Sequence, residues 1–188
     1  MIYTFCPKCG QSLATRRVDG HERQVCPACG FIFYQNPKPC VSVLVLDRGR
    51  LLLVKRAVEP FKDWWDIPGG FLELNEHPEV GAVRELAEET GLQIRPVELL
   101  GIYMDTYGDG GESTLNLCYV AELLGGQPRP ASDVAQLAWF ALDALPEQVA
   151  FDWSNEALAV LKQKPCRLGL KPQANSSSRL KPTGTQGF

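Results

Sequence analysis

The sequence contains no apolar run long enough to cross a membrane. Apolar runs such as Val41 to Leu46 fall far short of the ~20 residues a spanning helix needs. Its first residues, Met1-Ile2-Tyr3-Thr4-Phe5-Cys6, lack the basic and apolar regions of a secretory signal. The expectation is a cytoplasmic protein with no membrane partner. Acidic residues are missing from one end. None of the 22 lies beyond residue 161, whereas six of the 19 basic residues do: Lys162, Lys164, Arg167, Lys171, Arg179 and Lys181. Residues 1–161 thus set 22 acids against 13 basic residues, a net charge of −9. An acidic body argues against a protein that coats nucleic acid by neutralising phosphates, and suits one that collects cations.

What is present is ordinary for a chain that buries a core: 188 residues, 45% hydrophobic and 22% charged, enough for one medium domain and a small module. Of seven cysteines, four form two knuckles, Cys6-Pro7-Lys8-Cys9 and Cys26-Pro27-Ala28-Cys29, trailed by Gly10 and Gly30. A two-residue gap lets two thiolates of one tight turn reach the same tetrahedral ion, and the glycine admits the turn's positive φ. The pattern predicts a structural zinc, since about 30 residues cannot bury enough surface alone. A disulfide framework is the competitor, disfavoured without a secretion signal. Cys40 and Cys118 lie in apolar runs and read as small core residues; Cys166 lies in the tail.

Val41–Leu46 and Leu51–Lys55 flank Asp47-Arg48-Gly49-Arg50 and predict a hairpin. A loop from Phe61 to Phe71 follows, then a helix Pro78–Thr90 with His77 at its N-cap and Gly91 at its end. Strands are expected at Val97–Tyr103, Leu115–Leu123 and Leu137–Phe140, and a closing helix at Pro146–Leu161. The basic tail, residues 162–188, carries Asn175-Ser176-Ser177-Ser178 and from about residue 164 has the composition of a disordered segment.

The first helix carries the chemistry. With Glu85 at zero and ~100° per residue, Glu88 falls near ~300° and Glu89 near ~40°, so the three carboxylates share a face. Val80, Val83, Leu86 and Ala87 are expected on the buried side. Clustered carboxylates raise one another's pKa unless a divalent cation neutralises them, and hard oxygen donors select Mg2+ or Mn2+. The chemistry this suggests is metal-assisted phosphoryl transfer to water.

From Gly70 the chain reads Gly70, five residues, Glu76, seven residues, then Arg84-Glu85-Leu86-Ala87-Glu88-Glu89-Thr90-Gly91-Leu92. This resembles the Nudix box at every fixed position, and Trp65-Asp66-Ile67-Pro68-Gly69-Gly70 resembles the segment that leads into it. The resemblance implies a mixed-sheet α/β/α sandwich over residues 36–161 behind a zinc ribbon at 1–35. It implies metal ligation by Glu88 and Glu89, a ligand or water-orienting base in Glu85, and a backbone carbonyl ligand from Gly70. Glu76 would support the loop or bind metal through water, and Arg84 would hold a glutamate in place. The family's general base often lies outside the box; Asp105, Asp109 and Glu112 are the candidates. Phe61, Trp64, Trp65, Tyr103 and Tyr107 are candidates for stacking on a base.

The family hydrolyses nucleoside diphosphates linked to another group, releasing a nucleotide and a phosphorylated moiety. The ribbon makes the chain similar to NADH, FAD and ADP-ribose pyrophosphatases. The Ser-Gln-Pro-Trp-Pro-Phe-Pro run of NADH pyrophosphatases is absent, which leaves ADP-ribose, FAD or another dinucleotide as substrate. Two other readings compete: a nucleotide-sensing regulator, and an enzyme that removes a nucleotide cap while its ribbon grips RNA. Homodimers are common in this family.

Overall fold

The computed structural model describes residues 3–163; the tail from residue 164, with Cys166, lies outside them. The elements in chain order are β1 (Ala14–Val18), β2 (His21–Val25), β3 (Ile32–Phe33), β4 (Lys38–Asp47), β5 (Arg50–Arg56), β6 (Trp65–Asp66) and β7 (Gly69–Phe71). Then come α1 (Pro78–Thr90), β8 (Leu92–Tyr107), β9 (Glu112–Gly126), β10 (Val134–Ala141) and α2 (Asp152–Gln163). Strands β1 to β3 make a small antiparallel sheet in chain order. The main sheet runs β10-β5-β4-β9-β8, with β6 on β5 and β7 on β4. It is mixed, because β4 and β9 are parallel while the other pairs are antiparallel.

The β4–β5 hairpin forms as the sequence predicts. Arg48 and Gly49 at its tip have φ of 48° and 76°, the positive values a type I′ turn requires. Alternation along β4 then divides the core. Val41, Val43 and Val45 pack with Ala82 and Leu86 of α1, and Leu44 packs with Trp153, Ala157, Leu158 and Leu161 of α2. A helix on each face makes the expected α/β/α sandwich, and covering both faces requires the nearly unbroken apolar run of β4. Cys40 and Cys118 are buried core residues, and burial pushes each thiol up to about 12.

Two local expectations are corrected. The closing helix starts at Asp152, not Pro146. Trp65 N–H donates to Gln148 O at 3.2 Å and Ala150 N–H donates to Trp65 O at 2.7 Å, so this stretch is tied alongside β6. Phe151, at φ 62°, turns the chain before the helix begins. On α1, Val80, Val83 and Ala87 are exposed, and the buried residues are Gly81, Ala82, Leu86, Glu89 and Thr90. The buried arc is rotated toward the carboxylates, which brings Glu89 inside.

Candidate active site

The ends of α1 fix where its carboxylates stand. His77 Nδ1 accepts the Glu79 N–H at 3.4 Å, Pro78 occupies the first turn, and Gly91 closes the helix at φ 68°. Strand β7 pairs Gly69 with Ser42 and Gly70 with Val41, which lays the glycines beside the inner edge of α1. Glu89 Oε2 accepts the Gly69 N–H at 3.0 Å. A Cβ on Gly70 would stand 2.5 Å from the Glu85 carboxyl carbon, so only glycine leaves that carboxylate its position.

Arg84 gathers the remaining acids. Its Nε and Nη2 donate to the two oxygens of Glu76, each at 2.7 Å. Its Nη1 donates to Glu85 at 2.8 Å and Glu88 at 3.1 Å, and Nη2 also reaches Phe71 O at 3.1 Å. One planar guanidinium thus ties three carboxylates to the loop backbone. It holds Glu76 down at about 2, helped by the Glu73 N–H.

Glu89 is different. It is 7% exposed, and among the described residues no ion pair reaches it. Burial, and then the charges of Asp133, Glu85 and Asp66, push its pKa well above the usual carboxylate range against the pull of the Gly69 N–H. Burial also raises Glu85. A buried carboxylate left without a cation, beside two more carboxylates and a glycine backbone, fits a divalent-cation site of oxygen donors.

Beside this cluster lies a cavity of about 110 Å³ that takes in Gly69 and Gly70. Its polar wall includes Ser42, Thr114, Asn116, Asp133 and the Arg56–Asp66 pair, and its aromatic wall is Phe71, Tyr107, Phe151 and Trp153. Arg56 Nη1 bonds Asp66 at 3.0 Å, Nη2 donates to Tyr107 Oη at 3.2 Å, and the guanidinium sits 5.1 Å from the Phe151 ring centre. Burial pushes Asp66 up to about 7 while Arg56 pulls it down. Buried polar groups around an aromatic slot are the makings of a nucleotide pocket.

Of the acids expected outside the box, none lines this cavity. Asp105 accepts the Trp153 N–H at 3.4 Å, at the start of α2, Glu112 pairs with Lys38, and Asp109 is exposed in the β8–β9 turn. Of the stacking candidates, Trp65 packs edge-on to Phe140 with ring centres 4.8 Å apart. Tyr103 leans on Trp153 at 6.0 Å, and Trp64 contacts Phe61 at 5.4 Å. Tyr107 alone of the five reaches the cavity. Nothing in their own segments marks Arg56, Asp133, Phe151 and Trp153 as site residues, and Asp66 is legible only as part of the segment that leads into the box. Thr114 and Asn116, alternate polar residues in an otherwise apolar strand, carried a readable signal.

The four knuckle cysteines form a second centre. Their Sγ atoms all lie within 4.8 Å of one another, with Cys6–Cys29 at 3.6 Å and Cys9–Cys26 at 3.5 Å. Tetrahedral Zn–S bonds of about 2.3 Å give S···S edges of about 3.8 Å, so the set fits that ion. The two turns repeat each other: Gly10 N–H donates to Cys6 O at 2.9 Å and Gly30 N–H to Cys26 O at 3.0 Å, both glycines having φ 73°. The Cys29 N–H lowers Cys26 to about 7, which favours the ligating thiolate.

Residues 36–161 match the family described as NUDIX domain, and residues 4–35 match the Nudix N-terminal zinc ribbon. The chain belongs to the NUDIX domain family. It is 34% identical over 119 residues to the ADP-ribose pyrophosphatase of Methanocaldococcus jannaschii, covering 63% of this chain and 70% of that one. It is 33% identical over 144 residues to the NAD-capped RNA hydrolase NudC of Pseudomonas aeruginosa, covering 76% of this chain and 49% of the relative. The chain therefore spans about half the length of that hydrolase. Among solved structures, a NUDIX hydrolase from Nitrosomonas europaea superposes with a TM-score of 0.77 at 29% identity, over 89% of this chain and 94% of that one.

Proposed function

We propose that the chain uses Mg2+ or Mn2+ to hydrolyse the pyrophosphate bond of a nucleoside diphosphate linked to another group, such as ADP-ribose, FAD or an NADH-like dinucleotide. The products are a nucleotide and a phosphorylated moiety. The observation that carries this reading is the buried carboxylate of Glu89, which no Lys or Arg among the described residues pairs, beside Glu85 and the Gly69-Gly70 backbone. Glu85, Glu88, Glu89 and the Gly70 carbonyl would hold the ions, with Glu76 as the outer support. When bound, such ions screen phosphate charge and lower the pKa of a water.

The protein's own groups do the rest. Arg84 orients Glu76, Glu85 and Glu88. Glu85 is the water-orienting base in this reading, with Asp133 a further acid on the cavity wall; Asp105 and Glu112 are engaged elsewhere. Phe71, Tyr107 and Phe151 supply aromatic surface for a base, in place of Trp64, Trp65 and Tyr103.

The test is a panel of ADP-ribose, FAD, NADH, diadenosine polyphosphates and capped RNA with Mg2+ or Mn2+, comparing the native chain with Glu89→Gln. Cleavage that falls about a hundredfold or more in the variant is expected. Nucleotide binding without cleavage by the native chain would overturn the reading and favour a sensor.

A further inference from the structure

The main sheet ends in an open edge. β8 is its last strand, and no strand among the described residues pairs with its outer side. From Gly101 to Tyr107 its pairing with β9 runs without a bulge. This stretch offers a regular row of free backbone groups, which folded proteins ordinarily cover or blunt. Its two faces differ. Leu99, Ile102 and Met104 stand opposite Tyr119, Leu117 and Leu115 on the face that α1 covers. Burial and then the Glu79 charge raise the Tyr119 phenol, which puts the Glu79 flank of α1 over β9, and Val80 and Val83 belong to that flank. These five apolar side chains, Leu99, Ile102, Met104, Val80 and Val83, are 37% to 59% exposed and make one strip from α1 to the edge. The other face carries acids. Glu98 and Asp105 stand on the α2 side, opposite Val120 and Thr114, and the Tyr103 phenol is raised by burial, by Cys118 and by the charge of Glu156 on α2.

We propose that this edge is a docking site for the chain's own residues 166–171, added to β8 as a further strand. After Gln163, the end of α2, the sequence reads Lys164-Pro165, then Cys166-Arg167-Leu168-Gly169-Leu170-Lys171, then Pro172. Cys166, Leu168 and Leu170 alternate with Arg167, Gly169 and Lys171. As a strand, that pattern puts three apolar residues on one face and two cations on the other. It is the complement of β8, which is apolar toward α1 and acidic toward α2. A proline at each end limits the added strand to these six residues. Reach fits as well. α2 starts where the Trp153 N–H meets Asp105 at 3.4 Å, packs on β8, and brings Leu158 and Leu161 into the cluster of Leu100. Its 12 residues cover about 18 Å, the length of about five strand residues, so its last turn stands near Leu100. Two extended residues, Lys164 and Pro165, reach about 7 Å further, more than the roughly 4.8 Å between neighbouring strands. Charge acts in the same direction, since residues 162–188 carry six basic residues and no acid against an acidic body.

The test uses the zinc-loaded full chain, a double variant Leu168→Asp with Leu170→Asp, and Ile102→Asp. Hydrogen exchange is followed at the Gly101–Tyr107 amides, with Val43–Val45 as the control for an intact sheet. The outward amides of β8 are expected to be protected in the native chain and to exchange at least about tenfold faster in the double variant, while Val43–Val45 keep their protection. Ile102→Asp gives the same loss from the other side of the contact. A nitroxide attached through Pro172→Cys, in a Cys166→Ser background, is expected to broaden the amide signals of Ile102–Met104 several-fold more than the same label does when Leu168→Asp and Leu170→Asp are added. Outward amides that exchange alike in the native chain and the double variant, or broadening that the added aspartates leave unchanged, overturn the proposal. Protection that survives the double variant but falls on dilution gives the edge to a second copy. Broadening seen only when labelled and unlabelled chains are mixed gives it to a neighbour's segment. Either of these results also overturns the proposal.

Discussion

The carboxylate of Glu89 accepts the backbone N–H of Gly69 at 3.0 Å, and this bond ties the inner edge of α1 to the strand that pairs with β4. Glu89→Gln keeps an oxygen to accept that N–H and removes a buried charge that no cation offsets. The metal-free variant is therefore expected to melt at the native temperature or a few degrees above it, at about 2–4 °C per kcal/mol. Its kcat is expected to fall about a hundredfold or more. Thermal melts without divalent cations and initial rates with them make the comparison. A variant that unfolds as it loses activity would show a structural role for the charge.

The adjacent glycines are expected to fail differently. A Cβ on Gly69 would stand 2.1 Å from Val41 O and 2.7 Å from Ser42 Cα, both backbone atoms of the central strand. Gly69→Ala must push β7 off β4, a loss of about 3 kcal/mol or more. A Cβ on Gly70 meets only the far end of the Glu85 side chain, at 2.5–2.6 Å. That side chain can swing away, so Gly70→Ala is expected to fold within about 1 kcal/mol of the native chain. Its kcat should drop at least about tenfold, because Glu85 is displaced. Urea melts and rates on the two variants decide it, and the reverse ranking would contradict the geometry.

The residues explain why some of this could be read from the sequence and some could not. The β4–β5 turn, the ends of α1 and the cysteine knuckles are local: spacing and positive-φ glycines specify them within a few residues. The inward face of α1 is not local. Periodicity favours burying Val80 and Val83, yet the sheet takes Ala82, Leu86 and Glu89. Small Ala82 lets the helix approach, and the stability lost by burying Glu89 is accepted at a site. The cavity wall is less local still. Asp66 and Asp133 are 67 positions apart in the sequence, and only the β10–β5 pairing brings their segments together. Asp105 looked free for catalysis because nothing in its own segment reveals the α2 backbone that it meets.

Proton linkage at Glu89 sets a pH signature. Its pKa is higher folded than unfolded, so the folded chain binds the extra proton and stability falls as pH rises between the two values. The metal-free chain is thus expected to lose stability as pH climbs above the ordinary carboxylate range. A divalent cation competes with that proton, so it should stabilise more at pH 8 than at pH 5. At a hundred times its Kd it adds about 2.7 kcal/mol, or about 5–10 °C in Tm. Melts with and without Mn2+ at both pH values, repeated on Glu89→Gln, measure this. A shift equal at both pH values, or undiminished in the variant, would place the ion elsewhere.

The ribbon depends on its metal more than the main sheet does. Between residues 3 and 35 only Cys6, Val25 and Cys26 are buried, and two of those three belong to the cysteine cluster. Without an ion, β1 and β2 have almost no apolar burial to offset the entropy of ordering them. β4, by contrast, is packed on both faces at Val43, Leu44 and Val45. Hydrogen exchange should separate the two. A chelator strong enough to strip zinc is expected to erase protection at Thr15–Gln24 while Val43–Val45 keep theirs, and Cys26→Ser should do the same without chelator. The native chain should carry one zinc. If exchange in the ribbon ignores the metal, the four thiols are not what holds it. If β4 opens together with the ribbon, the two sheets share one cooperative unit, and zinc stabilises the catalytic domain as well.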